Sequence, residues 1–114
     1  MRYLLTFYAR EDEWMALPDA ERNAAIGEIG QWFADQAKAG TIIEGHRLGR
    51  GVKTVRHGRV RKKDLPMVSD GPFAEAKEGV GSYAVVQVAD EAEALEIAKG
   101  WPAGGIVEVR PIAD

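Results

Sequence analysis

Residues 3–8 read Tyr-Leu-Leu-Thr-Phe-Tyr and residues 82–88 read Ser-Tyr-Ala-Val-Val-Gln-Val, and these two stretches decide the fold. In each, aromatic or aliphatic side chains occur at both odd and even positions. This pattern is typical of strands inside a sheet that is covered on both faces. We therefore predict two central strands, Tyr3–Tyr8 and Ser82–Val88, with a packed layer on each side of the sheet.

The first of two predicted helices runs from about residue 18 to 39, since Pro18 suits its first position and Gly40 fits the position just past its end. Its apolar stripe has three and four residue spacing and consists of Ala25, Ile29, Trp32, Phe33 and Ala37. Gly27 and Gly30 interrupt the helix. Because each glycine costs about 1 kcal/mol relative to alanine in a helix interior, we expect close backbone packing there.

The middle of the chain is predicted to form short strands joined by turns. Thr41–Leu48 is the second strand, Val52–Arg56 is the next, and the tight turn that follows returns the chain through Arg59–Lys63. Pro66 is expected to end this ladder, because proline has no amide hydrogen to donate.

The second helix begins after Asp90, because Asp90 and Glu93 form a variant of the capping box, and it ends near Gly100. Residues 106–110 form the last predicted strand. The full order is strand, helix, a hairpin-rich middle, strand, helix, strand. It fits two split β-α-β units around an antiparallel sheet, which is an α+β fold with ferredoxin-like topology.

Two helices cover only one face of such a sheet. Because the two central strands are apolar on both faces, the second face also requires cover, and the sheet of a second copy is the simplest cover. We therefore expect a homodimer.

The composition limits the class of protein. With 114 residues, 46% of them apolar, the chain is long enough for one domain, residues 1–114, and too short for two. It contains no cysteine, which excludes disulfides, thiolate metal sites and a cysteine nucleophile. The apolar start of the chain is too short for a membrane span or a signal peptide. We expect a cytoplasmic protein with no metal, no cofactor and no membrane contact.

The formal charge of −3 is unevenly distributed along the chain. Residues 46–63 hold eight of the 15 lysines and arginines and no acid, whereas the other residues carry seven cations and 18 acids, a charge of −11. A basic stretch attracts small anions, and on a sheet edge it also prevents edge-to-edge aggregation. Since the acidic remainder would repel a nucleic-acid backbone, we expect no nucleic-acid partner.

Residues 69–78 read Ser-Asp-Gly-Pro-Phe-Ala-Glu-Ala-Lys-Glu and are the segment most suited to chemistry. Pro72 at a first helical position starts a short turn whose free amides point towards Asp70, which makes Asp70 a structural cap. In the alternative interpretation, Asp70 and Glu75 share a cleft, where their mutual repulsion raises one pKa and produces an acid and base pair. The residues alone leave both interpretations open.

Six further residues are candidates for binding a ligand: Arg56, Phe73, Tyr83, His46, Arg110 and Tyr8. Arg56 and Arg110 can each clamp a carboxylate through two hydrogen bonds, or pair with Glu44 or Glu108 on the sheet. His46 has the imidazole needed by a general base near neutral pH, and the aromatic residues can line a pocket or lie in the core.

The chain resembles the YCII-related proteins, and specifically the branch named after the tetrapeptide Asp-Gly-Pro-Phe, here Asp70–Phe73. The resemblance extends over nearly all of the chain and comprises the first strand ending in Tyr8, the helix end at Ala39-Gly40, Gly45 followed by Leu48, Thr54-Val55-Arg56, the block at residues 69–78, the strand with Tyr83, the helix around Ala94–Ala98 and the closing run Val107–Ile112.

This resemblance implies a dimeric α+β barrel, with a histidine and aspartate pair in a cleft in the wider family. It also implies small-molecule chemistry, since some members resemble lyases or dehydrochlorinases. Asp70 matches the aspartate of the tetrapeptide. The first helix, where the wider family has its histidine, contains none between Pro18 and Ala39, and Ile29 lies near that place.

Two kinds of function fit these residues. In the first, a homodimer binds a small organic anion near Asp70–Phe73 with Arg56 as clamp and, if it is an enzyme, acts as a metal-independent lyase, isomerase or dehydrochlorinase with Asp70 in proton transfer. In the second, the protein is a non-catalytic binding or regulatory module in which Asp70 is only a structural cap.

Overall fold

The computed structural model describes residues 1–58, 65–72 and 78–113. The strands within these residues are β1 (Arg2–Arg10), β2 (Ile42–Arg47), β3 (Lys53–Arg56), β4 (Met67–Asp70), β5 (Glu78–Gln87) and β6 (Ile106–Pro111). The helices within them are α1 (Glu11–Ala16), α2 (Asp19–Lys38) and α3 (Glu91–Lys99).

Strands β2, β5, β1 and β6 lie side by side in this order and form one antiparallel sheet. Helix α2 connects β1 to β2 across β5, and α3 connects β5 to β6 across β1, so each unit is a split β-α-β unit. The predicted α+β fold is therefore confirmed, and the two predicted central strands are the two middle strands of the sheet.

The core lies between this sheet and the helices. Strand β1 turns Tyr3, Leu5 and Phe7 towards the helices, and all three side chains are buried. The ring of Phe7 stacks on Trp101 with 3.7 Å between centroids, and Trp32 of α2 meets Phe7 edge-on. Each aromatic pair of this kind adds about 0.5 to 1.5 kcal/mol beyond the burial of its area.

Helix α1 is missed by the sequence pattern. Its first turn holds the acids Glu11–Glu13, and a hydrogen-bonded ion pair with Arg10 keeps the pKa of Asp12 below its usual range. Leu17 is extended because a residue before proline avoids the helical region. Pro18 is consequently the N-cap of α2 rather than the first helical residue that was predicted.

The expected close packing at Gly27 and Gly30 is wrong, since a Cβ atom at either position would meet no atom within 4 Å. Ala37 of the predicted apolar stripe is also exposed. The close approach occurs instead at Gly45 of β2, where a Cβ atom would lie 2.6 Å from Cε1 of Phe33. Helix α2 therefore packs on the sheet through an aromatic side chain set over a strand glycine.

Strands β3 and β4 form a separate two-stranded sheet, which we call the ribbon, with Arg56 opposite Met67. The predicted partner of β3 was Arg59–Lys63, which lies outside the described residues. The prediction that Pro66 ends the ladder is wrong, because β4 begins directly after it. A proline just before a strand is tolerated since no ladder bond needs its missing amide hydrogen.

The subunit is thin, with extents of 46 × 41 × 18 Å. A sheet with one layer of helices, each about 10 Å in diameter, accounts for the shortest of these extents. Helices α2 and α3 lie on one side of the four-stranded sheet, where Trp32 and Ala94 join the core. We call the other side the open face, because no described element covers it.

Candidate functional site

The open face carries the side chains that alternate with the core residues of each strand. On β1 these are Leu4, Thr6 and Tyr8, all half-buried. Strand register places His46, Tyr83, Thr6 and Glu108 in one row across the sheet, and Glu44, Val85, Leu4 and Arg110 in the next. Four of the predicted binding residues therefore lie on one face: Tyr8, His46, Tyr83 and Arg110.

On one side of the open face, Tyr83 of β5 is coupled to strand β2. Its hydroxyl donates a hydrogen bond to Oε2 of Glu44 at 2.8 Å, and this bond raises the pKa of Tyr83 above its ordinary value. The ring of His46 lies 5.9 Å from the ring of Tyr83, between centroids. A phenol, a carboxylate and an imidazole thus stand close together at the edge of the sheet.

On the other side of the open face, Tyr8 of β1 is coupled to strand β6. A hydrogen bond with Glu108 raises the pKa of Tyr8, burial and the negative charge of Glu108 act in the same direction, and the positive charge of Arg110 opposes them. Arg110, a cation on the open face, therefore lies near enough to Tyr8 for its positive charge to affect the pKa of Tyr8.

From the sequence, Glu44 and Glu108 are expected only as ion-pair partners for arginines. In the structure both carboxylates hold tyrosines instead, so each open-face phenol has a fixed acceptor. For Glu108, the alternation of side chains along β6 is the sequence signal that places it on the same face as Arg110. For Glu44 the alternation is broken, because the ladder of β2 shifts register between Ile42 and Glu44.

Asp70, the proposed acid or base, is the last residue of β4 and lies on the ribbon. Its carboxylate pairs with the ammonium group of Lys53 on β3, and its side chain is 85% exposed. Gly71 follows with φ +89°, a conformation that favours glycine, and its amide donates to the carbonyl of Val52 at 2.8 Å. The carboxylate of Asp70 is therefore accessible and is held by a cation.

Arg56 and Asp70 do not converge within one subunit. Cross-strand partners share a face of the ribbon and successive residues alternate, so Asp70 shares the face of Lys53 whereas Arg56 points to the opposite face. The hollow beside the ribbon has a volume of about 310 Å³ and is lined by Arg56, Met67, Val68 and Ser69. Three of these residues, Arg56, Met67 and Ser69, share the face of the ribbon opposite to that of Asp70.

Two further predicted site residues, Phe73 and Glu75, lie outside the described residues, and so does the short turn expected after Pro72. The predicted Asp70 and Glu75 pair therefore stays a prediction.

Over residues 1–58, 65–72 and 78–113, no group of three histidine, aspartate or glutamate side chains is placed to hold a metal ion. In the same part of the chain, no helix is both long and apolar enough to cross a bilayer.

The fold and the residue pattern together define a small α+β protein with a polar open sheet face. The chain belongs to the YCII-related domain family, whose model matches residues 1–114. A comparison with curated proteins finds no match.

Proposed function

We propose that this protein is a homodimer that binds a small organic anion on the open face. The observation that carries the proposal is the position of Tyr8, His46, Tyr83 and Arg110 on one sheet face that no described element covers. Membership of the YCII-related family and the tetrapeptide Asp70–Phe73, which favours the branch named after it, support small-molecule chemistry.

The surface area supports the dimer. A monomeric protein of 12.5 kDa exposes about 6,200 Å² by the usual scaling with mass, whereas this subunit exposes 8374 Å². The excess is about 2,200 Å², more than the roughly 800 Å² that each partner buries in an interface of standard size. A second copy placed over the open face would remove part of this excess and would exclude water from the polar groups there.

The hydrogen bonds on the open face support a small carboxylate as the ligand. Arg110 is a cation on this face, and a guanidinium group binds a carboxylate through two parallel hydrogen bonds. Tyr8 and Tyr83 already give their hydroxyl hydrogens to glutamates, so their oxygens remain as acceptors. A small carboxylate that also carries a hydroxyl or amino donor satisfies both kinds of group.

The test is a thermal-shift screen of small carboxylates and phenols. A ligand at ten times its Kd stabilises the native state by about 1.4 kcal/mol and raises the Tm by roughly 5 °C. Arg110→Gln is expected to abolish the shift. Lys99→Gln is the matched control, since it removes one exposed positive charge from α3 on the helix side. A shift of the same size in Arg110→Gln would contradict the proposed site.

Catalysis by the homodimer is the second part of the proposal, with Asp70 on the ribbon rather than on the open face. As an enzyme, the protein would use Asp70 as proton acceptor in a metal-independent lyase, isomerase or dehydrochlorinase reaction, as the family resemblance implies. The ion pair of Asp70 with Lys53 favours the alternative, a non-catalytic binding module, because it gives the carboxylate a structural partner on the ribbon.

Asp70→Asn separates these two functions. An exposed ion pair contributes about 0 to 1 kcal/mol, so the variant is expected to fold with a stability close to that of the wild type. If Asp70 takes the proton, turnover of the ligand found in the screen is lost while its thermal shift remains. Full turnover in a folded Asp70→Asn protein excludes that role, and absence of turnover in the wild type supports the binding module.

A further inference from the structure

The ribbon exposes apolar side chains on both of its faces. Val55 and Val68 are cross-strand partners on one face, and Met67 lies on the other beside Arg56. Val68 is 67% exposed and Met67 is 70% exposed, more than expected for aliphatic side chains on a strand. Leu65, just before β4, is 90% exposed.

A two-stranded ribbon with water on both faces is at best marginally stable, and it gains stability only by packing on something else. At one end of the ribbon, the amide of Gly71 donates to the carbonyl of Val52 and the hydroxyl of Thr54 donates to the carbonyl of Gly71, so these bonds extend the pairing of the two ribbon strands. Within the described chain, β3 and β4 otherwise pack mainly on each other. The described residues 1–52, 71–72 and 78–113 therefore do not supply the missing cover.

The ribbon does not lie on the open face of its own subunit, so that face does not cover the apolar side chains of the ribbon. A ribbon stacked on the open face would add a third layer about 10 Å away from the sheet. The subunit is only 18 Å thick, which sheet and helices already occupy. The ribbon therefore extends sideways from the layer, where a neighbouring molecule can reach both of its faces.

Charge indicates what that neighbouring molecule is. Residues 46–63, which include β3, carry eight cations and no acid, and the rest of the chain carries a charge of −11. Two copies of this basic segment would repel each other, and an anionic membrane would repel the acidic body. The acidic body of a second copy, by contrast, attracts the basic segment and offers a folded surface for its apolar side chains.

We infer that the ribbon of each subunit docks on the body of a second copy of this chain. The ribbon is then an arm that supplements the contact between the two open faces and buries Val55, Met67 and Val68 in the dimer. This inference rests on the homodimer of the proposed function. Two arms related by a two-fold axis make the same contact twice, so a change in one residue acts at two places.

The first test uses the absence of cysteine from the chain. Val68→Cys provides a single thiol for a maleimide carrying a benzophenone photo-cross-linker. Illumination at low micromolar protein concentration is expected to give a covalent dimer. Leu95→Cys, at an exposed leucine of α3 on the helix side, is the matched control and is expected to remain monomeric on a denaturing gel. Equal dimer yields from both, or none from Val68→Cys, overturn the inference.

The second test measures the dimer dissociation constant by sedimentation equilibrium. Val68→Glu is expected to raise this constant at least tenfold, whereas Leu95→Glu changes it by less than twofold. If the wild type is dimeric and Val68→Glu leaves its dissociation constant unchanged, the ribbon is not an interface element, although the dimer stands. A wild type that sediments as a monomer overturns the inference. The wild-type anion screen tests ligand binding separately.

Discussion

At the scale of single residues, Tyr8 and Tyr83 show how a neighbouring carboxylate fixes a protonation state. Hydrogen bonds to Glu108 and Glu44 raise the pKa of both phenols. A raised pKa means that the folded state holds the proton more tightly than the unfolded state does. The resulting stabilisation is fully present below the ordinary value of about 10 and is lost as the pH rises through the folded value. At neutral pH both groups are therefore hydrogen-bonding phenols and not bases.

Removing the carboxylate next to Tyr83 is expected to reverse its shift. Glu44→Gln should lower the pKa of Tyr83 towards 10, because the hydrogen bond to the carboxylate is lost and with it the negative charge that disfavours the phenolate. The pKa is measured for each tyrosine from the pH dependence of its ring ¹³Cζ resonance. Glu108→Gln is the reciprocal control, since it should lower the pKa of Tyr8 and leave Tyr83 unchanged. A Tyr83 titration that is the same in Glu44→Gln and wild type would contradict the assignment.

The residues of the open face were only partly predictable. Alternation along β1 and β5 was enough to put Tyr8 and Tyr83 at strand positions. It was not enough for Glu44, since plain alternation from Ile42 would turn Glu44 towards the core. A bulge between these two residues re-aims the side chain to the open face. Such a bulge depends on pairing with a strand about 40 residues away, which local sequence does not specify.

At the scale of elements, helix caps were predictable because their signals are local. The predicted cap of α3 is confirmed, since Asp90 accepts a hydrogen bond from the amide of Glu93 at 2.9 Å. Gly40, which follows α2, has φ +77°, as predicted for the position after a helix end. The partner of β3 was not predictable in the same way, because the chain between the two strands is too long for a tight turn to fix the register.

Replacing a glycine by alanine is expected to have opposite effects on stability in α2 and in β2. Gly45→Ala should destabilise the protein by about 1 to 3 kcal/mol, because the new methyl group would collide with the ring of Phe33. Gly27→Ala should stabilise it by about 0.5 to 1 kcal/mol, since the site is open and alanine favours the helix. Urea denaturation midpoints measure both changes. A stabilised Gly45→Ala protein would show that α2 does not pack on β2 in this way.

At the scale of the whole molecule, the subunit is expanded for its length. Its radius of gyration is 16.3 Å, whereas about 13 Å is usual for a compact domain of 114 residues. A sheet that lacks cover on one face and a ribbon that extends sideways are the two features that account for this. Both are expected to be covered in the proposed dimer. The fold class was predictable from apolar patterning, while the sideways ribbon was not, because no local pattern fixes the direction of a connection. The homodimer stays a prediction.

The bare side of the sheet also affects how the protein is made. In the proposed dimer, covering the exposed side needs an encounter between two chains, and that step is second-order in protein. The time that a lone chain spends with its sheet uncovered would then lengthen as the rate of synthesis falls, so a cell that makes little of this protein would expose each copy longest to chaperones and proteases.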